Sequence, residues 1–237
     1  MEPKGYIFDY GGTLDTAGCH WGKMIWHAYE RQHVPVEEAA YREAYVYAER
    51  TLGKHPIIQT DYTFRKTLEV KLRIQFDYLQ ECGYMNEGNF KAVSMQAAVL
   101  NDLYEAVQAT VARSKTVLET LKAHYPLVLV SNFYGNISVV LEEFGLDGLF
   151  QHIVESAVVG IRKPDCRIFQ LGVEALGLPA GEVVVVGDSI RKDMLPAKKA
   201  GCQTIWIKGE GWTDEPEDET VADRIINDLS ELTAGMQ

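Results

Sequence analysis

Positive charge is scarce in this chain. Its 237 residues hold 23 Lys and Arg against 34 Asp and Glu, a formal net charge of −11. Nucleic-acid surfaces are built from clustered basic residues, so this balance gives no support to such a partner. Cysteine is also sparse: Cys19, Cys82, Cys166 and Cys202 are far apart, with no Cys-x-x-Cys pair and no metal-ligand spacing. Reduced thiols are the expectation. Long apolar runs are missing too. No stretch approaches the ~18 apolar residues of a membrane span, and Tyr6-Ile7-Phe8 is too short for a signal peptide. A soluble, cytoplasmic protein with no membrane partner is therefore expected. Repeats and low-complexity tracts are absent, and the acidic run at 214–220 reads as a solvated loop.

What the chain does have is a set of short aliphatic runs, each bounded by Gly, Pro or polar residues, as buried parallel strands are. They fall at 5–9, 127–131, 183–187 and 204–207, with weaker candidates at 153–155 and 224–226. Helical patterns alternate with them at 115–124, 136–144, 164–176 and 193–200. Pro164 suits a first helical turn, while Gly177 and Gly201 suit helix ends. Alternation of this kind implies right-handed crossovers and a doubly wound, Rossmann-like parallel sheet. Residues 17–110 break the rhythm. They read as helices at 20–32, 36–52, 62–82 and 86–111, dense in aromatics that are expected to pack. The α/β class with an inserted helical bundle follows: core 1–16 and 111–237, insertion 17–110.

Chemistry-bearing residues gather at the strand ends. Asp9 follows the first strand and runs into Gly11 and Gly12, whose backbone freedom lets N–H groups approach an anion. Ser131 and Asn132 end the second strand. Lys163 precedes Pro164, beside Arg162. Asp188 and Asp193 follow the fourth strand in Gly187-Asp188-Ser189-Ile190-Arg191-Lys192-Asp193. In an open α/β sheet, these ends are where ligands bind. Three carboxylates there make a hard oxygen site fit for magnesium. Asp193 has the alternative of capping the helix that follows.

In this order the four segments resemble the motifs of the haloacid dehalogenase-like hydrolases, a superfamily dominated by magnesium-dependent phosphatases. The resemblance is strong over 5–16 and 115–210 and rests only on position and helical character across the insertion. It implies that Asp9 is the nucleophile, forming an aspartyl-phosphate, and that Ser131 with a backbone N–H near Asn132 holds a phosphoryl oxygen. It also implies that Lys163 neutralises charge and that the insertion acts as a cap. Gly11 and Gly12 would lie against the substrate. The metal would take Asp9, the Gly11 carbonyl and Asp188, with Asp193 as a further ligand or as an orienting group. The expected partner is a small phosphorylated molecule.

Gly11 departs from the pattern. Phosphatases of the family place there a second aspartate, which protonates the leaving group and then activates water; a glycine does neither. Positioned acid–base help contributes about 10²–10⁴-fold, so activated substrates are expected to be favoured. His20, Asp15 and the His27 region lie near enough in sequence to be considered as substitutes. Two alternatives stay open. One is a carbon–phosphorus hydrolase using a cap lysine, for which Lys54 is conceivable; the other is a weak or inactive member that binds a phospholigand or protein partner. The carbon–halogen branch needs no magnesium, and Asp188 with Asp193 argues against it.

Overall fold

The computed structural model describes residues 3–213 and 215–236, so Asp214, the first residue of the predicted acidic loop, lies outside the described residues. Six strands form one parallel sheet: β1 (Gly5–Phe8), β2 (Leu127–Ser131), β3 (His152–Glu155), β4 (Val183–Gly187), β5 (Gln203–Ile207) and β6 (Arg224–Ile226), in the order β3-β2-β1-β4-β5-β6. Both weak strand candidates are present. The period-two alternation of side chains divides the core between two faces. Tyr6, Phe8, Leu129, Val184, Val186 and Ile205 point to one side, Ile7, Val128, Val130, Val183 and Val185 to the other. Because both faces are covered, the strands read as unbroken aliphatic runs.

Four helices separate β1 from β2: α1 (Trp21–Arg31), α2 (Glu38–Lys54), α3 (Phe64–Glu81) and α4 (Asn89–Lys122). The patterns at 86–111 and 115–124, expected as two helices, are one. α4 runs for 34 residues, about 50 Å at 1.5 Å per residue, because nothing between Val111 and Lys115 breaks a helix. It therefore passes straight through the boundary expected at 110/111. The remaining helices are α5 (Ile137–Glu143), the single turn α6 (Ser156–Val159), α7 (Arg167–Leu176) and α8 (Leu195–Lys199).

Two helix starts differ from expectation. Pro164 is not in the first turn of α7: residues 162–165 form a turn containing a cis Lys163–Pro164 peptide, and the helix begins at Arg167. After β4 the chain enters a π-helical turn, Ile190–Met194, whose cap is Ser189 rather than Asp193. The Ser189 hydroxyl accepts from Lys192 N at 3.1 Å, which releases the Asp193 side chain for other work.

The chain leaves β3 for β4 by crossing from one side of β1 to the other, so the order reverses between β1 and β4. At such a switch point adjacent connections depart to opposite faces and leave a crevice at the C-terminal strand ends. Asp9 and Asp188 both stand there.

Candidate active site

Asp9 extends β1 by one bond, donating its N–H to Val186 O at 3.0 Å. Its carboxylate accepts from Tyr10 N at 2.8 Å and from the Lys163 ammonium at 2.8 Å. Lys163 also reaches Asp193 Oδ1 at 2.7 Å, and the other Asp193 oxygen accepts from Ser189 N at 3.1 Å. Lys163 and Asp193 are buried; only Asp9 of the three keeps a sliver of exposure, 11% of its side chain. Asp188 accepts from the Thr13 hydroxyl at 3.2 Å, and its carbonyl takes the Trp206 indole N–H at 2.7 Å. One carboxylate oxygen from each of Asp9, Asp188 and Asp193 lies within 4.8 Å of the others.

Two glycines make this crowding possible. Gly12 has φ +95°, and a Cβ there would lie 2.4 Å from the Asp188 carboxyl carbon. A Cβ on Gly187 would lie 2.5 Å from Asp193 Cβ. Either substitution would push an acid out of the cluster. Gly11 is different: its backbone is not left-handed, and the nearest atom to an added Cβ is Trp21 Nε1 at 3.9 Å. Nothing in the structure requires a glycine at that position.

The cluster is short of positive charge. Burial disfavours the Lys163 ammonium, but the Asp193 and Asp9 carboxylates overcome it and hold the group above its ordinary value. Burial pushes Asp193 up to about 6, opposed by Lys163 and assisted by Asp9. Asp188 rises well above the carboxylate range, through burial first and then through Asp193 and Asp9. With all three ionised, as direct binding of a cation requires, three carboxylates against one ammonium would leave two negative charges uncompensated. A divalent cation would restore neutrality, and the all-oxygen donor set suits magnesium.

The remaining expected residues fall as follows. Ser131 is buried at the end of β2. The Asn132 side chain grips the Lys163 peptide, its Oδ1 accepting from Lys163 N at 2.9 Å and its Nδ2 donating to Lys163 O at 3.2 Å. It thereby fixes the lysine's origin. Asp15 is buried, with Oδ1 accepting from Gly12 N at 2.7 Å and Oδ2 from Trp21 Nε1 at 3.1 Å; burial raises it to about 7. His20 caps α1 through Nδ1, which accepts from Gly22 N at 3.0 Å, and its ring packs on Tyr45 and Trp212. His27 lies at the surface between Glu30 and Glu210, and Lys54 is exposed in the last turn of α2. Thr13 and Trp206 were not among the expected residues. Neither carries a sequence signal beyond lying near the motifs.

A family model for haloacid dehalogenase-like hydrolases matches residues 3–201. The chain belongs to that family. The glyceraldehyde 3-phosphate phosphatase of Methanocaldococcus jannaschii is 37% identical over 39% of this chain and 40% of its own length. That of Pyrococcus furiosus is 32% identical over 50% of each. The phosphoserine phosphatase of Thermus thermophilus is 34% identical over 37% of this chain and 34% of its own. The matches thus span half or less of these relatives. A dehalogenase crystal structure shares the fold at TM-score 0.63 and 20% identity, covering 98% of this chain and 96% of its own. YfnB of Bacillus subtilis, solved bound to magnesium, does so at TM-score 0.61 and 19% identity, covering 99% and 98%.

Proposed function

We propose that this chain is a magnesium-dependent hydrolase of small phosphorylated compounds in which Asp9 attacks phosphorus. The observation that carries the reading is the buried Asp9–Lys163–Asp193 line, joined at 2.8 and 2.7 Å, with Asp188 beside it. Asp9 forms the new bond to phosphorus as the ester oxygen leaves with its electron pair. Lys163 sits against the attacking carboxylate, where its charge offsets the repulsion between two anions. Asn132 and Asp193 hold that ammonium in place. Asp9, the Gly11 carbonyl and Asp188 would hold magnesium directly, while Asp193, already committed to Lys163 and Ser189, orients the cluster. Bound magnesium would supply charge stabilisation to the phosphoryl oxygens. Ser131 and the backbone N–H groups around Gly12 and Asn132 would orient those oxygens.

No carboxylate occupies the place left by Gly11, and both Asp15 oxygens already accept hydrogen bonds within the protein. The reading therefore favours good leaving groups. Relatives named as phosphatases support the reaction class, and the magnesium-bound neighbour supports the metal. We take 1–16 and 111–237 as the core and 17–110 as its cap, the division falling inside α4. Exposure of Lys54 counts against carbon–phosphorus chemistry through that residue.

The test is phosphate release with and without magnesium from acetyl phosphate, p-nitrophenyl phosphate and alkyl phosphates. Magnesium-dependent release that is fastest on the activated esters is expected. Metal-independent release, or none from protein that binds magnesium, would overturn the reading.

A further inference from the structure

The Gly11–Gly12 peptide joins two residues that tolerate most backbone settings, so its orientation has to be imposed by a partner. The peptide is trans, and a trans peptide points its C=O and its N–H in opposite directions. The Gly12 N–H is spent on Asp15 Oδ1 at 2.7 Å. The Gly11 carbonyl is thereby turned away from Asp15. The carbonyls on either side of it are committed. That of Tyr10 accepts from Thr13 N at 3.2 Å and Leu14 N at 2.8 Å, and that of Gly12 accepts from Gly18 N at 2.7 Å. Of the three, only the Gly11 carbonyl takes no hydrogen bond from the described residues.

Asp15 is 1% exposed, and its side chain is met by two N–H groups, Gly12 N and Trp21 Nε1 at 3.1 Å, rather than by a cation. Burying a carboxylate without a counter-ion is costly, so its place depends on those two bonds. A carboxylate accepts on both oxygens and donates on neither, which matches two donors converging on it; an amide would turn its own N–H toward one of them. Trp21 is itself braced. It opens α1, and its ring lies 5.8 Å from that of Phe64 and 5.9 Å from the Lys71 ammonium, which pairs with Glu49 at 2.7 Å. Side chains of α2 and α3 thus back the indole that holds Asp15.

We propose that Asp15 is a positioning residue for the metal: by taking the Gly12 N–H it locks the flexible Gly11–Gly12 peptide with the Gly11 carbonyl free to serve magnesium, and Trp21 of the insertion keeps Asp15 in that setting. This rests on the magnesium reading of the Asp9 site and names the residues behind one of its ligands. Asp15 touches neither metal nor substrate; it acts through the peptide it holds.

Calorimetric titration of magnesium into metal-free protein, with no substrate present, reads the claim without turnover. Asp15→Ala should raise Kd by about 10–100-fold, the range for losing the group behind a metal ligand, at a stoichiometry near one. A merely structural role would lower the stoichiometry and leave Kd unchanged. Asp15→Asn combined with Trp21→Phe keeps an acceptor for the Gly12 N–H and removes the indole donor that would oppose the amide. This double variant should recover most of the affinity although the charge is gone. If Asp15→Ala fails to fold, Asp15→Asn alone serves, since its amide N–H must oppose one of the two donors; its Kd should lie above that of the double variant. An unchanged Kd in Asp15→Ala, or a double variant no better than the single ones, overturns the positioning role alone. Failure of wild type to bind magnesium overturns it together with the metal reading.

Discussion

Gly11 concentrates the question of rate in one residue. Its lack of a side chain has no steric cause, since a Cβ would meet only Trp21 Nε1 at 3.9 Å. An aspartate placed there would accept from that indole in competition with Asp15 and would stand beside Asp9. Gly11→Asp is therefore expected to raise alkyl phosphate hydrolysis by about tenfold or more, toward the 10²–10⁴-fold range of positioned acid–base catalysis. Steady-state kcat/KM on an alkyl phosphate measures it; an unchanged value in folded, magnesium-binding protein would contradict the assignment of the defect. Gly12 allows no such liberty. Gly12→Ala would place Cβ on the Asp188 carboxyl at a positive φ, so loss of magnesium affinity is expected by calorimetry. The sequence marked Asp9, Lys163, Asp188 and Asp193 by their place after strands. It did not mark Lys71, although that residue interrupts a buried stripe of α3 that includes Phe64, Leu68, Gln75 and Leu79. A lone lysine on such a stripe usually snorkels to solvent, so periodicity cannot separate that case from a buried ion pair.

At the scale of elements, two polar devices set how the insertion meets the sheet. Glu143 of α5 accepts from the backbone N–H groups of Phe64 and Arg65 and from the Tyr104 hydroxyl at 2.9 Å. A side chain from the core thereby takes the first two N–H groups of α3, beside the local cap Thr63, whose hydroxyl accepts from Lys66 N at 3.1 Å. Glu143→Ala removes the acceptor of the part-buried Phe64 N–H and Tyr104 hydroxyl and should cost about 1 kcal/mol or more, read as a lower denaturation midpoint; no change would mean that water substitutes fully. His20 caps α1 only while neutral. Its folded value, pushed down to about 4 by burial and Lys192, lies below the unfolded 6.5. The unfolded chain then takes up a proton first as pH falls. Stability from this group is complete above pH 6.5 and drains away between 6.5 and 4. His20→Ser, which retains a capping oxygen, should show a shallower loss over that window in denaturant titrations. Equal slopes would show that His20 does not drive it. Neither device was legible in sequence. Glu143 and α3 are far apart in the chain, and His20 is an uncommon cap.

For the whole molecule, the alternation of strands and helices carried the fold, because a sheet buried on both faces leaves continuous aliphatic runs that the eye can follow. Boundaries were less visible where the helix continued without a breaker, as in α4, or where a turn intervened, as after Pro164. The architecture brings four distant segments to one crevice, and the central claim is that Asp9 there becomes covalently phosphorylated. With no carboxylate at Gly11 to activate water, breakdown of that intermediate should lag behind its formation, and the intermediate should accumulate. The direct measurement is an acid quench during turnover of acetyl phosphate with magnesium, followed by borohydride reduction and peptide mass spectrometry. Reduction should convert Asp9 to homoserine in wild type and leave Asp9→Asn, which should not turn over, unmodified. Turnover with an unmodified Asp9 peptide, or full activity in Asp9→Asn, would contradict the account.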